Sequence, residues 1–208
     1  MATTTTNYGF DIPQSTDLVK DGATAIATLG QDIDTAMNTA LGTKKAGMVL
    51  LNTTSFSGVA SQSINDVFSS TYDNYLINYK NLTNSTNSTI TLKLRVSGTD
   101  TSTNYGSQRI YAQGTTLSAN RDGVGTDEVY LTDTDTTAQT IASFQTIVFS
   151  PNKAEATTFQ VSGGALLGQL YELFNYGFQN STTQFTGFTL IASSGTFGGT
   201  VSVYGYNK

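Results

Sequence analysis

Seven acidic side chains in the second half of the chain are the residues best suited to catalysis. A pair of carboxyl groups flanking a glycosidic bond is what glycoside hydrolysis requires. Most of these residues fall in turns rich in Gly and Thr, where Asp is a common turn former. We therefore expect no catalytic pair and no enzymatic activity. The candidates are Asp122, Asp127, Glu128, Asp133, Asp135, Glu155 and Glu172.

Asp133 and Asp135 alternate within one polar segment, a spacing that would allow two carboxylates to share a calcium ion. A complete calcium-binding loop also supplies a distal Glu ligand, and this segment contains no such complete motif. A solvated turn is therefore the better interpretation. We predict no metal site and no cofactor.

Two tyrosines and two arginines could together bind a sugar. Aromatic rings pack on the apolar faces of sugars, and guanidinium groups donate hydrogen bonds to hydroxyl and carboxylate oxygens. Alternate tyrosines on a strand are more often part of a core or a subunit interface, so the sugar site is the minor interpretation. The four residues are Tyr105, Arg109, Tyr111 and Arg121.

The residues that are missing exclude several classes of site. The chain has no His and no Cys. This excludes His-based catalytic triads, cysteine nucleophiles, zinc and iron–sulfur sites with Cys or His ligands, and disulfides. The net charge of −5 argues against a nucleic-acid partner, because phosphate binding needs clustered Lys and Arg.

The sequence also lacks the signals of membrane insertion and secretion. No apolar run approaches the roughly 20 residues that span a bilayer. The first residues have neither the basic start nor the apolar core of a secretory signal. We therefore expect assembly in a cytoplasm and no membrane insertion.

The composition predicts a mainly β protein. Thr (37 residues), Ser (20), Asn (15) and Gly (20) are abundant, and Thr favours strands while Asn and Gly favour tight turns. From residue 46 to residue 208 the pattern predicts about ten strands in an antiparallel, jelly-roll-like β-sandwich. They are residues 48–53, 72–82, 89–97, 105–114, 127–131, 141–149, 157–162, 170–178, 185–192 and 200–206.

The clearest strand is Thr89–Ser97, in which apolar and polar side chains alternate. Ile90, Leu92, Leu94 and Val96 point to one face of this strand. The preceding strand, Tyr72–Leu82, is its expected hairpin partner because the turn-forming run 84–87 separates the two.

A helix is predicted for residues 17–42, ending at Gly42. Its apolar side chains recur every seven residues, with a second set three residues on, as in a coiled coil. Packing of one face of the helix on its own domain is the alternative. Gly22 and Gly30 weaken the helix by about 1 kcal/mol each. The predicted oligomer core comprises Val19, Ile26, Leu29, Ile33 and Ala36.

Residues 1–16 are predicted to form an extended arm. The segment is too polar to pack on itself, and a free tail is the alternative interpretation. Tyr8, Phe10 and Ile12 alternate, so an extended arm would present all three on one face. We expect these three side chains to be the anchors of the arm.

Three stretches resemble proteins of tailed bacteriophages. NYGFDIPQSTDLVKDGATAIATLGQDIDTAMN (residues 7–38) resembles the N-terminal segment of tail fibre and minor tail proteins. INDVFSSTYDNYLINY (64–79) is similar to the opening hairpin of the β-sandwich domain that follows in such proteins. The ending, VSVYGYNK, is similar to the closing strand of those domains.

The resemblance implies a structural protein of the virion, a homotrimer whose arm attaches to other virion proteins and whose β-domain faces outward. The first hypothesis is a short tail fibre that adheres to a glycan or protein of the host surface. The second is a head fibre or capsid decoration protein with no receptor role. An enzyme that degrades host polysaccharide is the least favoured. The resemblance supplies no motif that identifies receptor-binding residues.

Overall fold

The computed structural model describes residues 3–6, 8–12, 18–41, 47–136 and 142–207. The chain divides into two compact units, Met1–Gly47 and Met48–Lys208. The described residues are mainly β and include one long helix, as the composition and the apolar spacing predict.

The first unit consists of a minimal hairpin and a helix. Strands β1 (Thr3–Thr4) and β2 (Asp11–Ile12) pair antiparallel, and helix α1 spans Val19–Leu41. The helix therefore begins two residues after its predicted start, while the predicted stop at Gly42 lies outside the described residues. The Ala, Leu, Lys, Gln and Met residues of α1 favour a helical backbone, whereas its β-branched residues and its two Gly lower its helix propensity.

The second unit contains a large sheet of eight antiparallel strands. Its order is β3-β15-β5-β11-β12-β13-β8-β9, so β3 and β9 form its two edges. The strands are β3 (Met48–Val59), β5 (Asn74–Asn84), β8 (Tyr105–Gln113), β9 (Thr116–Thr126), β11 (Ala142–Phe149), β12 (Thr157–Leu167), β13 (Gln169–Gln179) and β15 (Phe197–Tyr206).

A smaller antiparallel sheet packs against the large one. Its order is β10-β6-β14-β4, with the short β7 paired to β6. These strands are β4 (Ser61–Ile64), β6 (Ser88–Val96), β7 (Thr99–Asp100), β10 (Val129–Thr134) and β14 (Gly187–Ala192).

One apolar core lies between the two sheets. Tyr75 and Ile77 of β5 are buried in the same cluster as Leu92 and Leu94 of β6. The alternation predicted for β6 is confirmed at Ile90, Leu92 and Leu94, which are fully buried. It is incomplete, because Thr91 of the opposite set is also buried and Val96 is only half-buried. Burial of this cluster is the main source of stability in the unit.

The predicted hairpin between residues 72–82 and 89–97 is wrong. Strand β5 pairs with β11 and β15, whereas β6 pairs with β10 and β14. The apolar faces of the two strands meet across the core, so the turn at 85–87 carries the chain from one sheet to the other. The opening hairpin implied by the resemblance is also absent, because β4 pairs with β14 and not with β5.

Tyr105 joins the two sheets through its hydroxyl group. The backbone N–H of Leu94 donates to Tyr105 Oη over 2.8 Å, and Oη donates to the carbonyl oxygen of Thr101 over 3.1 Å. The side chain is fully buried, so no water can replace these bonds when they are lost.

We therefore predict that Tyr105→Phe lowers the free energy of unfolding by about 1–3 kcal/mol, because it leaves the buried Leu94 N–H without an acceptor. Urea unfolding followed by circular dichroism measures this loss. Tyr176→Phe is the matched control, since that ring is 57% exposed. Equal stability of the two variants would contradict the assigned bonds.

Candidate functional site

The apolar stripe of α1 is largely exposed within its own unit. Ile26 is 67% exposed and Ile33 is 40% exposed, while Leu29 and Ala36 are half-buried. The side chain of Val19 lies outside the described part of the structure. An exposed Ile is unfavourable in water, so these positions remain available to a partner.

The N-terminal segment turns back instead of continuing as one extended strand. Gly9 has a positive φ of 68°, and the Thr5 N–H donates to the Phe10 carbonyl over 2.9 Å. This corrects the predicted extended arm, because the turn replaces the strict alternation of Tyr8, Phe10 and Ile12. Gly adopts this left-handed backbone conformation without the steric cost that a side chain would impose.

The side chains of Tyr8 and Phe10 nevertheless contact each other. Their rings stack with centroids 5.6 Å apart, and they line a groove of about 220 Å³ against Ile33, Ala36 and Met37 of α1. The predicted anchors of the arm and two residues of the predicted oligomer core thus share one surface. Tyr8 remains 73% exposed there.

The fold separates Arg121 from the other three residues of the possible sugar site, which share one face of β8. Tyr105 is in the core, and Tyr111 packs on Tyr171 with ring centroids 5.6 Å apart. Arg121 is exposed on the opposite face of the sheet from Arg109, because Arg121 pairs with Gln108 and successive residues of a strand point to opposite faces. The prediction that alternate tyrosines belong to the core holds for Tyr105.

Arg109 instead forms the centre of a different cluster. Its guanidinium carbon lies 3.6 Å from the ring centroid of Tyr130, a cation–π contact. Its Nη1 lies 3.0 Å from Asp122 Oδ2, and the Ser107 hydroxyl donates to the same oxygen over 2.8 Å. The side chains of both ion-pair partners are mostly buried, which favours a fixed geometry.

The hydroxyl oxygens of Tyr130 and Tyr171 lie 3.1 Å apart in the same cluster as Arg109. Burial raises the pKa of Tyr130 well above the usual value for tyrosine, and burial also raises the pKa of Tyr171, to about 12. Asn175 Nδ2 donates to the Tyr130 carbonyl over 2.6 Å. The cluster therefore holds strand β10 against β13 and keeps both hydroxyls protonated.

Three of the seven candidate acids line one polar recess of about 380 Å³ beside this cluster. They are Asp122, Asp127 and Glu128, and Lys93 Nζ lies 3.8 Å from Glu128. The ion pair with Arg109 already occupies Asp122, so this carboxylate is engaged in structure. Arg109 and Tyr130 also line the recess, as do four residues with hydroxyl groups: Thr89, Thr91, Thr126 and Ser193.

The remaining acids do not assemble into a cation site. Asp133 accepts a hydrogen bond from Thr89 Oγ1 over 3.3 Å, and Glu155 and Glu172 are exposed. Across the residues that the structure describes, no group of three acidic side chains could hold a metal ion.

A second surface was missed by sequence reasoning. Phe174 and Tyr176 of β13 are 51% and 57% exposed on the outer face of the large sheet. Their strand neighbours Leu173 and Asn175 point inward and are buried. The available signal was that β13 carries apolar side chains at both alternating sets of positions, and a strand that covers only one core needs just one set.

No protein-family model matches the chain, and neither a curated protein nor a solved structure is significantly similar to it. The one helix found among the described residues is too polar to cross a membrane.

We predict that the protein unfolds cooperatively above about pH 10. Burial raises the pKa of Tyr75, Tyr79 and Tyr105 as well as that of the Tyr130–Tyr171 pair. An unfolded chain ionises its tyrosines near pH 10, while the folded chain keeps these five protonated. Their contribution to stability is thus complete below pH 10 and falls as pH rises, by up to about 1.4 kcal/mol per pH unit for each tyrosine.

Tyrosinate absorbance and circular dichroism, recorded together against pH, check this prediction. The late-titrating tyrosines and the β signal are expected to change at the same pH. Tyr79→Phe should move this midpoint upward, and the exposed Tyr176→Phe should leave it in place. Ionisation of all 11 tyrosines with the β signal intact would refute the burial argument.

Proposed function

We propose that this chain is a structural protein of a tailed-bacteriophage virion, a short homotrimeric tail fibre that mediates adhesion to the host surface. The observation that carries the proposal is the exposed, heptad-spaced stripe of α1, in a unit separate from the β-unit. The resemblance of residues 7–38 to the N-terminal segment of phage fibre proteins supports the same function.

The helix is the proposed trimerisation element. In a coiled coil, Ile26 and Ile33 would occupy one core position, and Leu29 and Ala36 the other. Burial of an exposed Ile side chain on association contributes about 1.5–3 kcal/mol. Three chains would each bury two such residues, Ile26 and Ile33, which gives a driving force for association and places three β-units at one site.

The hairpin before the helix is the proposed attachment element. Tyr8 and Phe10 form a stacked pair at the edge of a groove, and Ile12 is 39% exposed. Aromatic side chains of this kind are enriched at protein interfaces. A protein of the phage tail could cover them without disturbing the β-unit.

The β-unit is the proposed host-binding element, with a jelly-roll-like arrangement of its two sheets. Its polar recess offers hydroxyl, carboxylate and guanidinium groups within one cavity, a set suited to a polar group of a glycan or protein. Three copies of a weak site would adhere by avidity. The proposal includes no nucleic-acid partner, no membrane insertion and no catalysis.

A head fibre or capsid decoration protein is the second candidate. The short helix favours it, because 23 residues of α-helix extend only about 35 Å and would hold the β-units close to the particle. In this case the hairpin would bind a capsid protein, and the polar recess would bind no receptor of the host.

Immunogold labelling of intact particles with an antibody against residues 48–208 separates the two candidates. The tail fibre predicts gold at the tail and binding of purified protein to host cells. Gold distributed over the head, with no binding to cells, would replace the fibre with the decoration protein. Absence of label on the particle would overturn both.

The helix makes a separate prediction. Ile26→Asp with Ile33→Asp places two charges in the proposed trimer core, so the sedimentation mass should fall from that of three chains to that of one. Ala27→Asp with Thr35→Asp adds the same charges to the same helix outside the heptad positions and should leave the mass unchanged. A wild-type protein that sediments as a single chain would contradict the coiled coil.

A further inference from the structure

An apolar face covers three adjacent strands on the outer side of the large sheet. Five large apolar side chains there are between 51% and 76% exposed. They lie on β8, β9 and β13, which are neighbours at one end of the sheet. This apolar face comprises Ile110, Leu117, Leu170, Phe174 and Tyr176.

The register of the strands places these side chains together. Phe174 lies opposite Ile110, and Ile110 lies opposite Ala119, so a row without charge crosses all three strands. Exposed apolar side chains scattered singly are ordinary, but a contiguous patch on one face marks a binding surface.

A charged side chain lies on each side of this uncharged row, and the two charges have opposite signs. Glu172 is in the row that contains Ala112 and Leu117, and Arg121 is in the row that contains Gln108 and Tyr176. Four residues along the strands separate the two rows, roughly 13 Å. Within the described part of the chain, neither Arg121 nor Glu172 forms an ion pair.

We propose that the apolar face is an interface between copies of this chain, in which Arg121 of one copy pairs with Glu172 of the next. This inference rests on the trimer of the proposed function and assigns it a second contact. A rotation axis that passes near the uncharged row would bring Arg121 of one copy close to Glu172 of its neighbour. The same contact would then repeat around the axis, as a cyclic assembly requires.

The weakness of α1 is one reason to assign the face to another copy. The helix has 23 residues and contains Gly22 and Gly30, each of which lowers helix stability by about 1 kcal/mol. Small residues such as Ala36 bury little area at its core positions. A bundle of three such helices is marginal by itself, so a stable trimer needs a further apolar contact.

The chemistry of the face is the other reason. Sugars pack on aromatic rings, yet three of the five side chains are Leu or Ile and offer no ring. Protein interfaces have an apolar, charge-depleted centre with polar groups at the rim, which is the arrangement observed here. The separated unlike charges are complementary to those of an identical surface.

Charge reversal in the full-length protein tests the proposal. Arg121→Glu and Glu172→Arg should each weaken the trimer, because each creates three like-charged contacts. Like-charge contacts at an interface are unfavourable by several kcal/mol, so we expect the dissociation constant from sedimentation to rise about tenfold or more. The double variant should return the constant to near the wild-type value, because the pair is re-formed with reversed polarity.

The control is Lys80→Glu, which reverses an exposed charge on β5 of the same sheet, outside the apolar face. It should leave the dissociation constant unchanged. All four variants change exposed side chains, and matching urea midpoints of the dissociated chains will confirm that each one folds.

The possible failures are distinguishable. If the wild-type protein trimerises but single reversals have no effect, or the double variant is not rescued, the interface is overturned and the helix-mediated trimer stands. If the reversals preserve the trimer but abolish binding to host cells, the face belongs to a receptor, which also overturns the interface. A monomeric wild-type protein overturns both the interface and the trimer.

Discussion

The shared apolar core between the two sheets is the constraint on which the rest of the β-unit depends. No disulfide can join the sheets because the chain has no Cys, so burial of apolar surface must hold them together. That requirement explains why β5 and β6 are consecutive in sequence yet lie in different sheets. Each strand carries one strongly apolar face, and the two faces are buried in the same cluster between the sheets.

Buried tyrosines extend this constraint to the loops. The Tyr75 hydroxyl accepts a hydrogen bond from the Ser69 N–H and donates to the Ser69 carbonyl, which ties the segment before β5 to the core. The Tyr130 ring packs against the Arg109 guanidinium, and Arg109 in turn pairs with Asp122 in the lining of the polar recess. Apolar burial of the rings thus determines where the polar groups of the candidate binding site lie.

Local patterns predicted the elements but not their neighbours. The alternation in β6 and the heptad spacing in α1 could be predicted from the sequence, because each depends only on residues that are close together in the chain. The strands that pair with β6 could not be predicted from the sequence, because strand pairing depends on how residues far apart in the chain pack into one core. Strand β9 escaped prediction because its sequence, TLSANRDGVGT, lacks alternation, and without β9 nothing in the sequence brings Asp122 to Arg109.

The apolar stripe of α1 and the apolar face of the large sheet are best understood together. The α1 stripe belongs to one helix of 23 residues that contains Gly22 and Gly30, and the apolar face consists of five large side chains. In the proposed trimer, association of the helices would convert contact between β-units into an intramolecular step, for which effective concentrations reach the millimolar range. A face that is too weak to aggregate free chains would then suffice to fix the orientation of three tethered copies. Weakness in each contact is therefore compatible with a stable assembly, and it limits association to chains already joined through α1.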